Sequence, residues 1–363
     1  MNIHLIEKQK FTDKFIELID YNYPDSSNIV YEYETGAGFE CKKASCAKSI
    51  TRLSDIDFSL LGEDDKFFVH AFYTTKTIRF IYRNIHRFKK YQLVLICWGA
   101  DIYDARFALE NHKFDFKLRF HEYLKRRIIK CCDIFMTFAC ADYEIITKYY
   151  GGHGKQFDCL YPSNANLELL DKLKNDYELE IGNSFRNNTF KILLGNSATK
   201  TNLHIQALDA MAKFSDEDIE IICPLSYGDK EYGKKVVDYG KSVFKEKFKP
   251  ILDYMSTDDY SRLLNSVDVA VFNHNRQQGT GNIEILAYLG KKLYIRSDTT
   301  TWKHYVIRDG CKFFDAKLIE KMSFNDFISM KKDDVSINEE YFRKIWDINY
   351  VKSLWDKVME YRG

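Results

Sequence analysis

The sequence predicts an α/β protein built as two Rossmann-like domains facing across a cleft. Three observations lead there. Short apolar runs of strand length alternate with longer helical patterns along most of the chain. The alternation breaks in a charged, turn-rich stretch near the middle and then starts again. A chain of 363 residues, 45% hydrophobic and 29% charged, has enough apolar material for two cores.

The elements follow in order. Residues 1–8 read as a short apolar strand followed by charge, and residues 28–31 and 66–70 as two further strands. Residues 75–89 carry a helical pattern. Gln92-Leu93-Val94-Leu95-Ile96-Cys97-Trp98 is a continuous apolar run, as expected of a parallel strand buried on both faces. A helix over 116–130 and a strand over 133–137 complete this half. From about 170 to 188 the chain is charged and ends in Gly182-Asn183-Ser184-Phe185-Arg186-Asn187-Asn188, a cluster of turn formers. Strands are then expected at 190–194, 219–223, 267–272 and 292–295, with helices between them. A single last helix is expected over 338–361, with Phe342, Ile345, Trp346, Ile348, Leu354 and Val358 on its apolar positions. The domains expected are 1–185, 186–340 and a terminal helix, 341–363, packing back on the first.

Composition excludes several classes. A net charge of +1 gives no global field for nucleic acid. The 9 cysteines are scattered, without CxxC or zinc-ligand spacing, so a reducing, cytoplasmic setting is expected. The start of the chain lacks a signal peptide's apolar core, and no run of 18 apolar residues could span a bilayer.

Four segments carry candidate chemistry. Leu194-Gly195-Asn196-Ser197-Ala198-Thr199-Lys200 leaves a strand through glycine and enters a helix, a place where amides, hydroxyls and Lys200 could hold a phosphate. It is also good N-cap sequence, and it is not a P-loop. Cys223-Pro224-Leu225-Ser226-Tyr227-Gly228 ends the next strand, where Tyr227 could stack on a base, bond a phosphate or simply belong to a Pro–Gly turn. Arg276-Gln277-Gln278-Gly279-Thr280-Gly281 lies between a strand and a helix. It reads as an exposed donor-rich loop, with Arg276 suited to bidentate phosphate contact and Gly279 and Gly281 letting amides face a ligand. Glu284, one turn on, could hold ribose hydroxyls or complement the helix terminus. In the first half, Trp98-Gly99-Ala100-Asp101 puts Asp101 beyond a strand's carboxyl end, where cleft residues gather. Asp101 is the first candidate for a base and equally an N-cap; His70 is the second and Asp104 a weaker third. Two basic clusters, one spanning Arg83 to Lys90 and one Lys125 to Lys130, suit either solvent or anionic lipid.

Together Trp98-Gly99-Ala100-Asp101-Ile102-Tyr103, Leu194-Gly195-Asn196-Ser197, Tyr227, Asp258-Asp259-Tyr260 and the Arg276–Gly281 run resemble motifs of the TDP-N-acetylfucosamine:lipid II N-acetylfucosaminyltransferases. Where that family tends to show His-Gly, this chain has His70-Ala71-Phe72. The resemblance implies a GT-B fold, a nucleotide diphosphate sugar in the C-terminal domain and a lipid-linked saccharide acceptor. It implies surface polysaccharide synthesis at the inner face of the membrane; peripheral contact with anionic lipid is one reading of the two basic clusters, beside a pair of solvated helix faces. No metal or other cofactor is expected: diphosphate charge would be met by amides near Asn196 and Ser197, by Arg276 and by the amides of Gly279 to Gly281. Asp258-Asp259 reads as helix capping rather than a metal site. The rival readings are a nucleotide-sugar 2-epimerase of similar fold and a non-catalytic sugar-nucleotide-binding protein. A dehydrogenase is disfavoured, since no GxGxxG follows the first strand.

Overall fold

The computed structural model describes every residue except 10–11, 25–26, 34–43, 73, 104–115 and 184–188. Cys41, Asp104 and the expected boundary at 185/186 lie outside the described residues. The chain forms two compact units, one of Met1–Asn164 with Trp346–Gly363, the other of Ala165–Ile345.

Among the described residues the first unit holds a sheet of seven parallel strands in the order β3-β2-β1-β4-β5-β6-β7. These are β1 Asn2–Glu7, β2 Asn28–Tyr33, β3 Ala47–Ile50, β4 Lys66–His70, β5 Gln92–Cys97, β6 Ile134–Thr137 and β7 Lys155–Asp158. Every residue of β4 is buried, and all but Gln92 of β5, because apolar side chains alternate onto two cores. Phe67, Leu93 and Leu95 point into one core and Phe68, Val94 and Ile96 into the other.

The second unit holds six parallel strands in the order β10-β9-β8-β11-β12-β13. These are β8 Phe190–Leu194, β9 Ile219–Pro224, β10 Phe248–Ile251, β11 Val269–Phe272, β12 Lys292–Ile295 and β13 Phe314–Asp315. In both sheets the first strand lies between the second and the fourth. Strand order reverses there, so the loops leaving β1 and β4, and those leaving β8 and β11, diverge and open a crevice at the carboxyl end. The strands the sequence does not announce, β3, β7, β10 and β13, are the four sheet edges.

Two expectations need correction. The charged stretch before the expected boundary is a helix, Leu167–Asn183, that belongs to the second unit. Leu170 on it is fully buried, the Leu173 carbonyl accepts from Asn265 Nδ2 at 2.9 Å, and Asp171 binds Tyr288 and Arg343. The terminal helix is two helices, Lys332–Ile345 in the second unit and Ile348–Glu360 in the first. Asp347 divides them: its extended backbone stops one helix, and its carboxylate caps the next by accepting from Asn349 N and Tyr350 N at 2.8 and 3.1 Å. The second helix brings Trp355 into the first unit, fully buried, its indole N–H donating to the Leu160 carbonyl at 2.9 Å.

Ala71, just past β4, has φ +61°, in the left-handed region where a Cβ is unfavourable. The glycine common at this place in the resembling family suits the same backbone without that cost.

Candidate active site

In the second unit the loops leaving β8 and β11 are tied together by one buried side chain, Asn202, which is 1% exposed. Its Oδ1 accepts from the Asn196 main-chain N–H at 3.0 Å, and His274 Nε2 lies 2.8 Å from the same oxygen. Its Nδ2 donates to Thr199 Oγ1 at 2.6 Å and reaches Ser197 Oγ at 3.3 Å. Asn275 N donates to the Thr201 carbonyl at 3.0 Å, Gln278 Nε2 to Asn196 Oδ1 at 3.1 Å, and the Thr201 hydroxyl to Gln278 Oε1. Gly195 has φ +69°, and a Cβ there would stand 2.7 Å from Asn202 Oδ1 and 2.5 Å from His204 Nε2. No other residue fits without dismantling this knot.

The loop leaving β9 joins the same surface. Ala198 N donates to the Tyr227 carbonyl at 2.8 Å, and Asn196 Nδ2 to the Tyr227 hydroxyl at 3.0 Å. Asn196, Tyr227, Arg276, Gln278 and Gly279 therefore meet at one crevice. Lys200 stands outside the knot, highly exposed and 3.5 Å from Asp229.

The donor-rich loop differs from its expectation. It is not a solvated loop: Asn273, His274 and Gln277 are buried, and Arg276, Gln278 and Gly279 are partly so. One nitrogen of Arg276 donates to its neighbour's carbonyl, Gln277 O, at 2.9 Å. Likewise the Asn196 amide is taken by Asn202, and the Ser197 hydroxyl, 2% exposed, lies 3.1 Å from Thr199 Oγ1. These two groups hold the loop's shape and are not presented to a phosphate.

The helix Thr280–Tyr288 has no side-chain cap; its N-cap is Gly279, at φ +65°. By contrast, Asp229, Ser256, Ser323 and Asp347 each cap the helix that follows them. A Cβ added at Gly281 meets no atom within 4 Å, so this helix start faces open space. Uncapped amides at the positive end of a helix dipole suit an anion. Glu284 is less available than expected, because its Oε1 accepts from the Tyr305 hydroxyl at 2.9 Å. Ser256 and Asp259 form a reciprocal cap, Asp259 N to Ser256 Oγ at 3.1 Å and Ser256 Oγ to Asp259 Oδ2 at 2.6 Å, which gives Asp259 a capping role. Among the described residues no three His, Cys, Asp or Glu side chains stand together as metal ligands.

In the first unit His70 and Asp101 are turned inward, 1% and 0% exposed. His70 sits in a hydrogen-bonded row whose direction can be deduced. Asn28 Oδ1 accepts from Asn2 Nδ2 at 3.0 Å, so His4 Nε2, 3.2 Å away, is the donor to it. His4 Nδ1 then accepts from His70 Nε2 at 3.1 Å, and His70 Nδ1 accepts from the Tyr161 hydroxyl at 2.5 Å. Tyr161 in turn accepts from Trp98 Nε1 at 3.3 Å. The only basic nitrogen of His70 is thus occupied, and its ring stacks on Trp355 at 5.9 Å. His70 is placed to orient Tyr161 and Trp98 rather than to take a proton from a bound acceptor. Asp101 Oδ2 accepts from Trp98 N at 3.2 Å, closing its own turn, and burial raises its pKa against the pull of the Trp98 amide and Lys125.

Lys125 leaves the basic cluster: fully buried, it pairs with Glu122 at 3.1 Å and donates to the Asp101 carbonyl at 2.9 Å. Arg119, Arg126, Arg127 and Lys130 stay exposed beside Phe120 and Tyr123, which are 50% and 51% exposed. Their helix, Phe116–Ile129, packs against Thr75–Arg83, which adds exposed Lys76, Arg79 and Arg83.

Two outcomes follow. Asn202→Ala strands the Asn196 amide and His274 Nε2 without partners, while His274 Nδ1 keeps the Gln278 carbonyl, and should cost about 2–4 kcal/mol in urea unfolding, since each buried orphan costs about 1–3 kcal/mol. Second, burial lowers the pKa of His4 and His274 to about 3 and of His204 to about 4, and that of His70 well below its ordinary 6.5. The folded values lie below the unfolded one. The stability of the neutral rings is therefore complete above about pH 6.5 and falls as pH drops toward 4. His274→Gln should reduce the slope of unfolding free energy between pH 6 and 5 by about 1.4 kcal/mol per pH unit; an unchanged slope would mean that His274 titrates normally in the folded protein.

The matches to known proteins agree with this architecture. An α,α-trehalose-phosphate synthase (UDP-forming) from Burkholderia vietnamiensis superimposes with a TM-score of 0.67 at 8% identity, covering 99% of this chain and 100% of that one. WaaG, a glycosyltransferase involved in lipopolysaccharide biosynthesis, gives 0.61 at 11% identity, with 99% of each chain covered. The trehalose-6-phosphate structure from E. coli bound with UDP-2-fluoro glucose gives 0.60 at 11% identity, covering 100% of this chain and 99% of that one. At such identities the matches establish the fold, which is GT-B. The family model of 4-alpha-L-fucosyltransferase, glycosyl transferase group 56, matches residues 42–354. The chain belongs to this fucosyltransferase family and is a glycosyltransferase that works between a nucleotide-sugar donor and a glycan acceptor.

Proposed function

We propose that the chain moves a deoxy- or acetamido-sugar from a nucleoside diphosphate, with TDP-N-acetylfucosamine as the type of donor, to a lipid-linked saccharide. The setting is assembly of a surface polysaccharide of O-antigen, capsule or enterobacterial-common-antigen type. The observation that carries this reading is the uncapped start of helix Thr280–Tyr288 beside Arg276, Asn196 and Gln278 at the β8/β11 crevice. A diphosphate seated there gains negative charge as its bond to the sugar breaks. Helix amides and a guanidinium fixed beforehand stabilise that charge more than the ground state. In this reading they replace a metal ion as counter-charge to the leaving group.

Asp101 is our candidate base. It lies beyond the carboxyl end of β5, and burial raises its proton affinity, which suits a carboxylate that must accept a proton near neutral pH. The exposed arginines and aromatics of helices Thr75–Arg83 and Phe116–Ile129 are the surface we assign to anionic headgroups, through which the enzyme would meet a lipid-linked acceptor on the inner face of the membrane.

Arg276→Ala should lower sugar transfer by about 100-fold or more with the fold retained. Asp101→Asn keeps an acceptor for the Trp98 amide and should lower turnover by about 100-fold while donor affinity holds. Unchanged turnover would confine Asp101 to its turn. Nucleotide-sugar incubated without acceptor should yield no isomer; an epimer would restore the epimerase reading. Replacing Arg79, Arg83, Arg126 and Arg127 with Glu should abolish co-sedimentation with phosphatidylglycerol vesicles, and equal sedimentation of both proteins would remove this surface from the mechanism.

A further inference from the structure

The two sides of the β8/β11 crevice differ in chemistry. On the β12 side, Arg296 is held by Asp298 through two bonds of 3.0 and 2.7 Å, with Lys317 3.3 Å from the same carboxylate. That side offers charge already neutralised. On the β9 and β10 side the loops carry large apolar side chains into solvent: Tyr227 is 57% exposed, Leu252 58% and Tyr254 84%. These loops are neighbours, since Leu225 N donates to the Ile251 carbonyl at 2.8 Å where β9 and β10 end.

Tyr227 is exposed in a particular way. Its hydroxyl accepts from Asn196 Nδ2 at 3.0 Å, and its carbonyl accepts from Ala198 N, so the ring is pinned at both ends. Burial of the hydroxyl raises its pKa; Asn196, Ser197 and Arg276 pull it down again, and nearby Tyr254 raises it. The ring face therefore stands beside the anion cradle with its orientation fixed in advance. Behind it Asn282 Nδ2 donates to the Tyr260 hydroxyl at 2.8 Å, tying helix Thr257–Ser266 to the first turn of helix Thr280–Tyr288. Exposed apolar side chains gathered at a sheet's carboxyl edge mark a surface meant to be covered.

We propose that Tyr227, Leu252 and Tyr254 form the platform on which the nucleobase of the donor stacks. This rests on the reading that the donor's diphosphate lies at the uncapped helix start. A nucleoside attached to that diphosphate must leave toward one side, and among the described residues the β9/β10 side carries the exposed rings, Tyr227 and Tyr254. Stacking is tolerant of base identity because every base has a π-face. The platform therefore separates nucleoside diphosphates from bare pyrophosphate rather than one base from another.

Calorimetric titration of the full chain with TDP, UDP and inorganic pyrophosphate tests this. Tyr254→Ala should weaken both nucleoside diphosphates about tenfold and leave pyrophosphate unchanged, while Tyr254→Phe keeps wild-type affinity. Arg276→Ala should weaken all three. Unaltered TDP affinity in Tyr254→Ala, or an equal loss for pyrophosphate, overturns the platform and leaves the diphosphate site standing. Wild-type protein that binds neither TDP nor pyrophosphate overturns both.

Discussion

The second unit of this molecule depends on the buried amide of Asn202. One side chain satisfies a main-chain N–H of its own loop, two hydroxyls beside it and a histidine from the loop after β11. A buried amide surrounded by partners defines one geometry, because any slip leaves several groups unpaired in a low dielectric. The consequences spread outward. Gly195 must be glycine because Asn202 and His204 fill its Cβ position. Burial pushes the pKa of His274 down, against the pull of the Gln278 carbonyl. Asn196, with its amide taken, is free to turn its side chain toward Tyr227 and Gln278. Groups that look like phosphate ligands in the sequence are thus spent on holding the loops, and the helix start without a side-chain cap, at Thr280, is the place we propose for the anion.

The first unit is organised by a different device, an aromatic and imidazole cluster. His4, Phe15, Phe68, His70 and Tyr161 all lie within 6.1 Å, centroid to centroid, of Trp355. The C-terminal helix supplies that tryptophan, so the last residues of the chain complete the core beneath the first. The row from Trp98 through Tyr161 and His70 to His4 and Asn28 runs through this cluster with every ring neutral. It fixes the Trp98 side chain at the mouth of the β5 loop, while Asp101 fixes its backbone. Two candidate bases are in this way supports of the same turn, and Asp101 alone keeps a second carboxylate oxygen outside that hydrogen bond.

How much of this could be read in advance depended on burial. The nine strands recognised in the sequence are the inner strands, where residues such as Leu93 to Cys97 are covered on both faces and so form unbroken apolar runs. The four edges, Ala47–Ile50, Lys155–Asp158, Phe248–Ile251 and Phe314–Asp315, were illegible. They are short, carry lysine in three cases and proline in one, and are covered on fewer sides, so no apolar run marks them. The helix Leu167–Asn183 reads in the sequence as a charged boundary stretch because its charges pair with Arg343 and Glu339, residues far along the chain.

The sequence by itself determined the α/β class, the inner strands, the place of each crevice at a strand's carboxyl end and the family, because these rest on local periodicity and on short motifs. Tertiary structure alone decided which polar residues are spent on holding the fold. Asn196, Ser197, His70 and Lys125 have the same side chains whether they bind or support, and only their three-dimensional neighbours, up to 77 and 82 residues away for Gln278 and its two partners, consume or release their hydrogen-bonding capacity.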